Sequence, residues 1–295
     1  MTERVAENSL DGRAGRFRSR LECFRERLAG QWSEDDAGFI PAMEDFLRFI
    51  AQYDDKDAYA AFERRGPLRE FRSFFADCVL RFAWVMEGRT YSELASKMTA
   101  GGKIGPRLGR STWGSYARMG DAVKLVDFSS CRRLVVMGCG RAPCSLFYLH
   151  DWTDVPCLVG IDRDPESLTM SRQLAEGFGL DRIRIVGADA ADLDYSEFDI
   201  IYWGPFAQPR HKIMERLATT GRPGSVVILR DPFFTGTLLF EPMVPALDPR
   251  LAICAESSGY PGRFMLKHYV LRLTTAPSPP PKHDDGPRQA PIACC

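Results

Sequence analysis

Apolar residues recur at three- and four-residue spacing through the first part of the chain. Phe39, Ile40, Met43, Phe46, Leu47 and Ile50 form one stripe; Leu68, Phe71, Phe74, Phe75, Cys78, Val79, Phe82 and Met86 form a longer one. This spacing places side chains on one face of an α-helix and predicts two amphipathic helices, punctuated by Arg65-Gly66-Pro67-Leu68. Residues 100–114, AGGKIGPRLGRSTWG, carry five glycines and a proline and predict a connection with freedom to move.

The texture changes at residue 133. RLVVMGCG (133–140) is a short apolar run ending in glycines, the pattern of a buried parallel strand that opens into a helix. CLVGIDRD (157–164), RIRIVGAD (182–189), FDIIYWGP (198–205) and SVVILRDP (225–232) repeat it, with the helix-like stretches SLTMSRQLAEGFGL and HKIMERLATT between them. Strands alternating with helices predict a doubly wound, Rossmann-like α/β sheet. RFMLKHYVLRL (263–273) predicts a late antiparallel edge strand, and six prolines in residues 276–295 predict a disordered tail. The expected organisation is an N-terminal helical domain over 1–130, an α/β domain over 131–275, and the tail.

Composition narrows the class of function. The chain has 295 residues, with 39 basic and 39 acidic side chains and 45% hydrophobic residues. Balanced charge argues against nucleic-acid binding through a bulk positive field. No apolar run reaches the roughly 20 residues of a membrane span, and MTERVAENSLDGRAGRFRSR has no apolar core of a secretory signal. Nine scattered cysteines without a CxxC pair, and only four histidines, fit neither a disulfide framework nor a zinc site. They read as reduced cysteines of a cytoplasmic protein, with no metal expected and a small molecule as the expected partner. The oligomeric state is left open. The arginines at 13, 16, 18, 20, 25 and 27 are interleaved with Glu22 and Glu26 and read as a solvated helix face.

Ligands of open α/β sheets sit at the carboxyl ends of the strands. The first predicted strand ends in Gly138-Cys139-Gly140-Arg141-Ala142-Pro143-Cys144-Ser145, whose glycines allow a tight turn and close approach of backbone to ligand. Asp162 ends the second strand, 24 residues after Gly138, where its carboxylate can accept bonds from a ribose diol. Asp189 ends the third, where it can face an adenine amino group; Tyr202 and Trp203 end the fourth. Pro143 replaces the third glycine of a dinucleotide fingerprint, at the helix start that would cradle a pyrophosphate. S-adenosylmethionine (SAM), which has no phosphate, fits better.

These residues resemble the nicotianamine synthase family and its bacterial opine-metallophore relatives. That family carries GxGxxPxT/S after strand one, matched by Gly138, Gly140, Pro143 and Ser145. Its acidic segment after strand two is matched by Ile161-Asp162-Arg163-Asp164-Pro165, and its PGAVLMLRS segment by Pro223 through Arg230. Leu239-Phe240-Glu241-Pro242-Met243-Val244 continues the likeness, which spans about residues 134–244. Upstream, Gly114-Ser115-Tyr116 and Asp121 through Leu125 stand where the family has a tyrosine segment, and Glu87 is the counterpart of its upstream acidic residue. The family's Y-Y-D-N-Y run is reduced here to Trp113-Gly114-Ser115-Tyr116.

The resemblance implies a helical lid over a SAM site and transfer of the 3-amino-3-carboxypropyl arm, with methylthioadenosine leaving. Azetidine-2-carboxylate synthases, on a similar fold, close that arm on its own amine. Either reaction needs a nucleophile held in line and competing nucleophiles excluded. Aromatic faces suit a sulfonium by cation–π attraction, and Tyr116, Phe147, Tyr148, Tyr202, Trp203, Phe206, Phe233 and Phe234 are the local rings. Glu87, Tyr116 and Tyr202 are the expected catalytic residues. Gly138, Gly140, Pro143, Ser145, Asp162, Asp189 and Trp203 are the expected SAM contacts. Arg230 reads either as a carboxylate anchor or as a partner of Asp231 or Asp199. His150 reads as structural beside Asp151, and Cys139 and Cys144 as small packed side chains. A small-molecule methyltransferase and a non-catalytic SAM-binding module are the alternatives.

Overall fold

The computed structural model describes residues 9–31, 36–65, 68–258 and 264–275. The expected tail, the Gly66-Pro67 break and Arg263 lie outside them. Among the described residues, four helices come first: α1 (Leu10–Gly30), α2 (Asp36–Gln52), α3 (Lys56–Arg64) and α4 (Leu68–Ala95). Ser9 caps α1 by accepting from Gly12 N, and Asp55 caps α3 by accepting from Ala58 N, satisfying amide groups that have no partner inside the helix. Phe17, Leu21, Phe24 and Leu28 line the inner face of α1. Its arginines pair outward, Arg18 with Glu22, Arg25 with Glu70 and Arg27 with Asp45, which makes that side a solvated face.

The connection after α4 contains a 3-10 turn (Gly105–Arg107) and two short helices, α5 (Arg110–Ala117) and α6 (Met119–Val123). Part of the stretch expected to be a free connection is therefore helical. The Asp151 carboxylate also accepts from both Ile104 N and Gly105 N, which ties the connection down.

The α/β part runs β1 (Arg133–Met137), α7 (Cys144–Trp152), β2 (Cys157–Asp162), α8 (Pro165–Gly177), β3 (Ile183–Gly187), β4 (Ile200–Trp203), α9 (Arg210–Thr220), β5 (Val226–Pro232), β6 (Leu251–Glu256) and β7 (Leu266–Leu273). The seven strands lie in the order β3-β2-β1-β4-β5-β7-β6, with β1 to β5 parallel. β7 pairs antiparallel with β5 and with β6. The late strand is thus interior, and β6 is the edge. The chain reverses direction across the sheet between β1 and β4, so a ligand crevice is expected beyond Met137 and Trp203.

Three apolar clusters hold the molecule together. One packs α1 to α4 on Leu238, Leu239, Phe240, Phe264 and Leu266 of the α/β part. The others fill the two faces of the sheet. Among the described residues, no helix is long and apolar enough to cross a membrane.

Candidate active site

The glycine turn after β1 organises the site. Gly138 and Gly140 have φ of 65° and 69°, a region that side-chain-bearing residues rarely enter. Gly140 N donates to Asp162 Oδ2 at 2.9 Å, and Asp162 Oδ1 accepts from Asp164 N at 3.0 Å. Asp162 therefore fixes the turn with one lone pair on each oxygen and keeps capacity to accept from a ligand. Asp164 caps α8 by accepting from Ser167 N and Oγ.

Two adjoining cavities open beside this turn. The first, about 300 Å³, is walled by Gly140, Asp162, Asp164 and Asp189 from the strand ends and by Leu80 and Trp84 from α4. The second, about 310 Å³, is lined by Pro143, Ser145, Tyr202, Arg230, Ser115 and Arg118, with Phe82 and Phe264 above them. Ala83, Glu87, Gly138 and Phe206 border both.

Glu87 stands at that border. Its Oε2 accepts from Arg141 N at 3.1 Å, and the carboxylate packs so closely on Gly140 that a Cβ there would collide with it. Burial, aided by nearby Asp162, outweighs the Arg141 hydrogen bond and charge and raises the Glu87 carboxyl to about 7. A carboxyl poised there is ionised in part at neutral pH and can exchange a proton with an amine.

Of the ten residues expected at the site, eight are brought together: Glu87, Tyr202, Gly138, Gly140, Pro143, Ser145, Asp162 and Asp189. Tyr116 and Trp203 are not. Tyr116 is buried with its hydroxyl donating to Asp151 Oδ2 at 2.7 Å and accepting from Trp152 Nε1 at 2.8 Å. That bonding anchors the connection after α4 and leaves the hydroxyl outside the cavities. The positions of this segment that line the cleft are Gly114, Ser115 and Arg118, which share one helical face. Trp203 is fully buried among the residues packed under α9, because successive strand residues face opposite sides and Tyr202 takes the cleft side.

Arg230 faces the second cavity. Both carboxylates offered as its structural partners are engaged elsewhere, Asp231 with Arg210 at 2.9 Å and Asp199 with Arg222. Across the β5–β7 pairing stands His268, pushed down to about 3 by burial and by the charges of Arg230 and Arg118. His150 lies 3.5 Å from Asp151 and belongs to that buried network. Burial raises the thiols of Cys139 and Cys144 to about 12, so neither is a ready nucleophile. Arg118, Arg141 and Trp84 also stand at the cleft, although no sequence motif points to them. The signal for Trp84 was its position three residues before Glu87, one turn away on the same face of α4.

Among solved structures, the nicotianamine synthase MtNAS in complex with MTA and tNA superposes with a TM-score of 0.75. It is 17% identical, and the match covers 88% of this chain and 98% of that one. A glutamate-to-glutamine variant of MtNAS in complex with S-adenosylmethionine gives a TM-score of 0.73 at 16% identity, covering 87% and 98%. The chain has the fold of a nicotianamine synthase. The coverage extends the likeness beyond the α/β sheet to the helices before it. No family model matches the sequence, and no curated protein matches it. In this nicotianamine synthase fold, the glycine turn, the acidic strand ends and Glu87 converge on one cleft.

Proposed function

We propose that this protein is an enzyme that binds SAM and moves its 3-amino-3-carboxypropyl arm to a carboxylate-bearing amine, with release of methylthioadenosine. The observation that carries the reading is the position of Glu87, on the wall shared by a nucleoside-sized cavity and a second one. The residues fit the proposed substrate. Gly138 and Gly140 let backbone approach it, Asp162 is placed to accept from ribose hydroxyls, and Asp189 from an adenine amino group. Phe206 borders both cavities and offers a ring where a sulfonium would lie. The raised Glu87 carboxyl lessens the fixed negative charge there.

Arg230 and Arg118 line the second cavity, where a guanidinium can anchor the carboxylate of the arm. The room there, about 310 Å³ beside the nucleoside-sized cavity, favours an external acceptor over closure of the arm on itself. Glu87 accepts a proton from the attacking ammonium and frees its lone pair. The new C–N bond forms at the γ-carbon, the C–S bond breaks, and its electron pair stays on sulfur as neutral methylthioadenosine leaves. Tyr202 closes the floor of the cavity beside Arg230.

The test is to incubate the protein with SAM, with and without a panel of amino acids, and to identify the nucleoside released. Methylthioadenosine formed only with an added amino acid is the expected result. Its formation from SAM alone, above a protein-free blank, would replace this reading by ring closure to azetidine-2-carboxylate. S-adenosylhomocysteine would replace it by methyl transfer.

A further inference from the structure

Trp84 is a large apolar side chain with about half of its surface exposed (52%), yet one face of its ring is covered. The Arg141 guanidinium lies over it, Cζ 3.4 Å from the ring centroid. Arg141 itself is almost entirely enclosed, its side chain 5% exposed, and its Nη2 donates to Glu166 in the first turn of α8. Its backbone N–H donates to Glu87, and its Nη1 would lie 3.3 Å from a Cβ placed at Gly88. One residue of the glycine turn thus touches α4 twice, through Trp84 and Glu87, and α8 once. We propose that Arg141 is a positioning residue that clasps α4 onto the glycine turn and keeps the Glu87 carboxylate on the wall between the two cavities. The proposal rests on the reading above only for what Glu87 does there.

The groups that act on Glu87 are few. Asp162, from the end of β2, opposes its ionisation, and Arg141 favours it. The thiols of Cys139 and Cys144, from the glycine turn and the start of α7, feel its charge but stay protonated. Arg118, between α5 and α6, acts on Cys144 with the opposite sign. Arg141 is therefore the cation that counters Asp162. A planar guanidinium can stack on an indole and pair with a carboxylate at once, whereas a lysine ammonium keeps the charge without the plate.

The test follows the Glu87 carboxyl itself. Infrared difference spectra of each protein against its Glu87→Gln counterpart give the titration midpoint of that one group. The wild type is expected to titrate near about 7. Arg141→Gln is expected to move the midpoint up by about half to one pH unit, and Arg141→Lys to bring it most of the way back. If Arg141→Gln does not fold, Glu166→Gln loosens the same guanidinium and is expected to shift the midpoint in the same direction by less. A midpoint that neither Arg141→Gln nor Glu166→Gln moves overturns the clasp. In turnover assays, Arg141→Gln is expected to lower kcat/KM about tenfold and to move the acidic limb of the pH profile with the midpoint. A shifted midpoint in a protein that releases no methylthioadenosine would sink the arm-transfer reading and leave the clasp standing.

Discussion

Glu87, Asp162 and Tyr116 sit within the same stretch of fold and make three different predictions. Removing the proposed proton acceptor with Glu87→Gln keeps the shape of the cleft and is expected to cut methylthioadenosine release by about 100-fold or more, with a smaller change in SAM affinity. Asp162→Ala takes away both the proposed acceptor of ribose hydroxyls and the brace on Gly140 N, so calorimetry is expected to show SAM binding weakened at least about tenfold. Tyr116→Phe belongs to stability. Its hydroxyl is one of the donors that, with His150, Gly105 and Ile104, hold the buried Asp151 carboxyl below its ordinary range although burial acts to raise it. Losing that donor is expected to cost about 1–2 kcal/mol in chemical unfolding and to leave turnover within about twofold. Turnover lost without loss of stability would return the tyrosine to the site. Glu87, Asp162 and the glycine turn, expected together from the resemblance, do meet in the fold, through contacts 54 and 22 residues apart in sequence. Tyr116 does not join them, because a helical rotation of about 100° per residue turns Ser115 and Arg118 to the cleft and Tyr116 away.

At the scale of elements, β1, β2, β4 and β5 were legible because a buried parallel strand reads as an unbroken apolar run; β3, on the sheet edge, was legible from its alternating Ile183-Arg184-Ile185. β6 was not, since Ala252, Ile253 and Cys254 are exposed on the sheet edge and give no such run. The same distinction between a constrained and a free position appears among the glycines. Gly140 sits at φ 69° at the turn, with the Glu87 carboxylate where a Cβ would go. Gly114 lies inside α5 on the rim of the second cavity, with nothing within 4 Å of a Cβ. Gly114→Ala is expected to raise stability by about 0.5–1 kcal/mol through helix propensity and reduced unfolded-state entropy. Gly140→Ala is expected to strain the turn, displace Glu87 and weaken SAM binding at least about tenfold. Thermal unfolding and calorimetry on the matched pair separate the two. Equal effects at both positions would mean that the turn does not depend on its close contact with α4.

Over the whole molecule, the helices and the sheet cannot be weighed apart, because Leu238, Phe240 and Phe264 pack into the core of α1 to α4. What happens at Glu87, on the seam between them, therefore reads out in global stability. Its carboxyl titrates at about 7 in the fold, against 4.5 for the ordinary group. Below about pH 4.5 both folded and unfolded chains hold the proton, and burial of the neutral acid costs little. Between about 4.5 and about 7 the unfolded chain releases it while the folded one keeps it, so stability falls as pH rises, by up to about 3 kcal/mol. His268 works in the opposite direction. Its folded value is about 3 against the ordinary 6.5, so the unfolded chain takes up a proton first and stability falls as pH drops below about 6.5. In wild type alone the two trends overlap and partly cancel. Comparison with Glu87→Gln removes the overlap, since His268 is common to both proteins. The stability advantage of Glu87→Gln over wild type is expected to grow from about pH 5 to about pH 8 by up to about 3 kcal/mol, read as ΔG from urea unfolding at each pH. A difference that stays flat across that range would mean that the carboxyl titrates normally, and the proton acceptor of the proposed transfer would have to be sought elsewhere in the cleft.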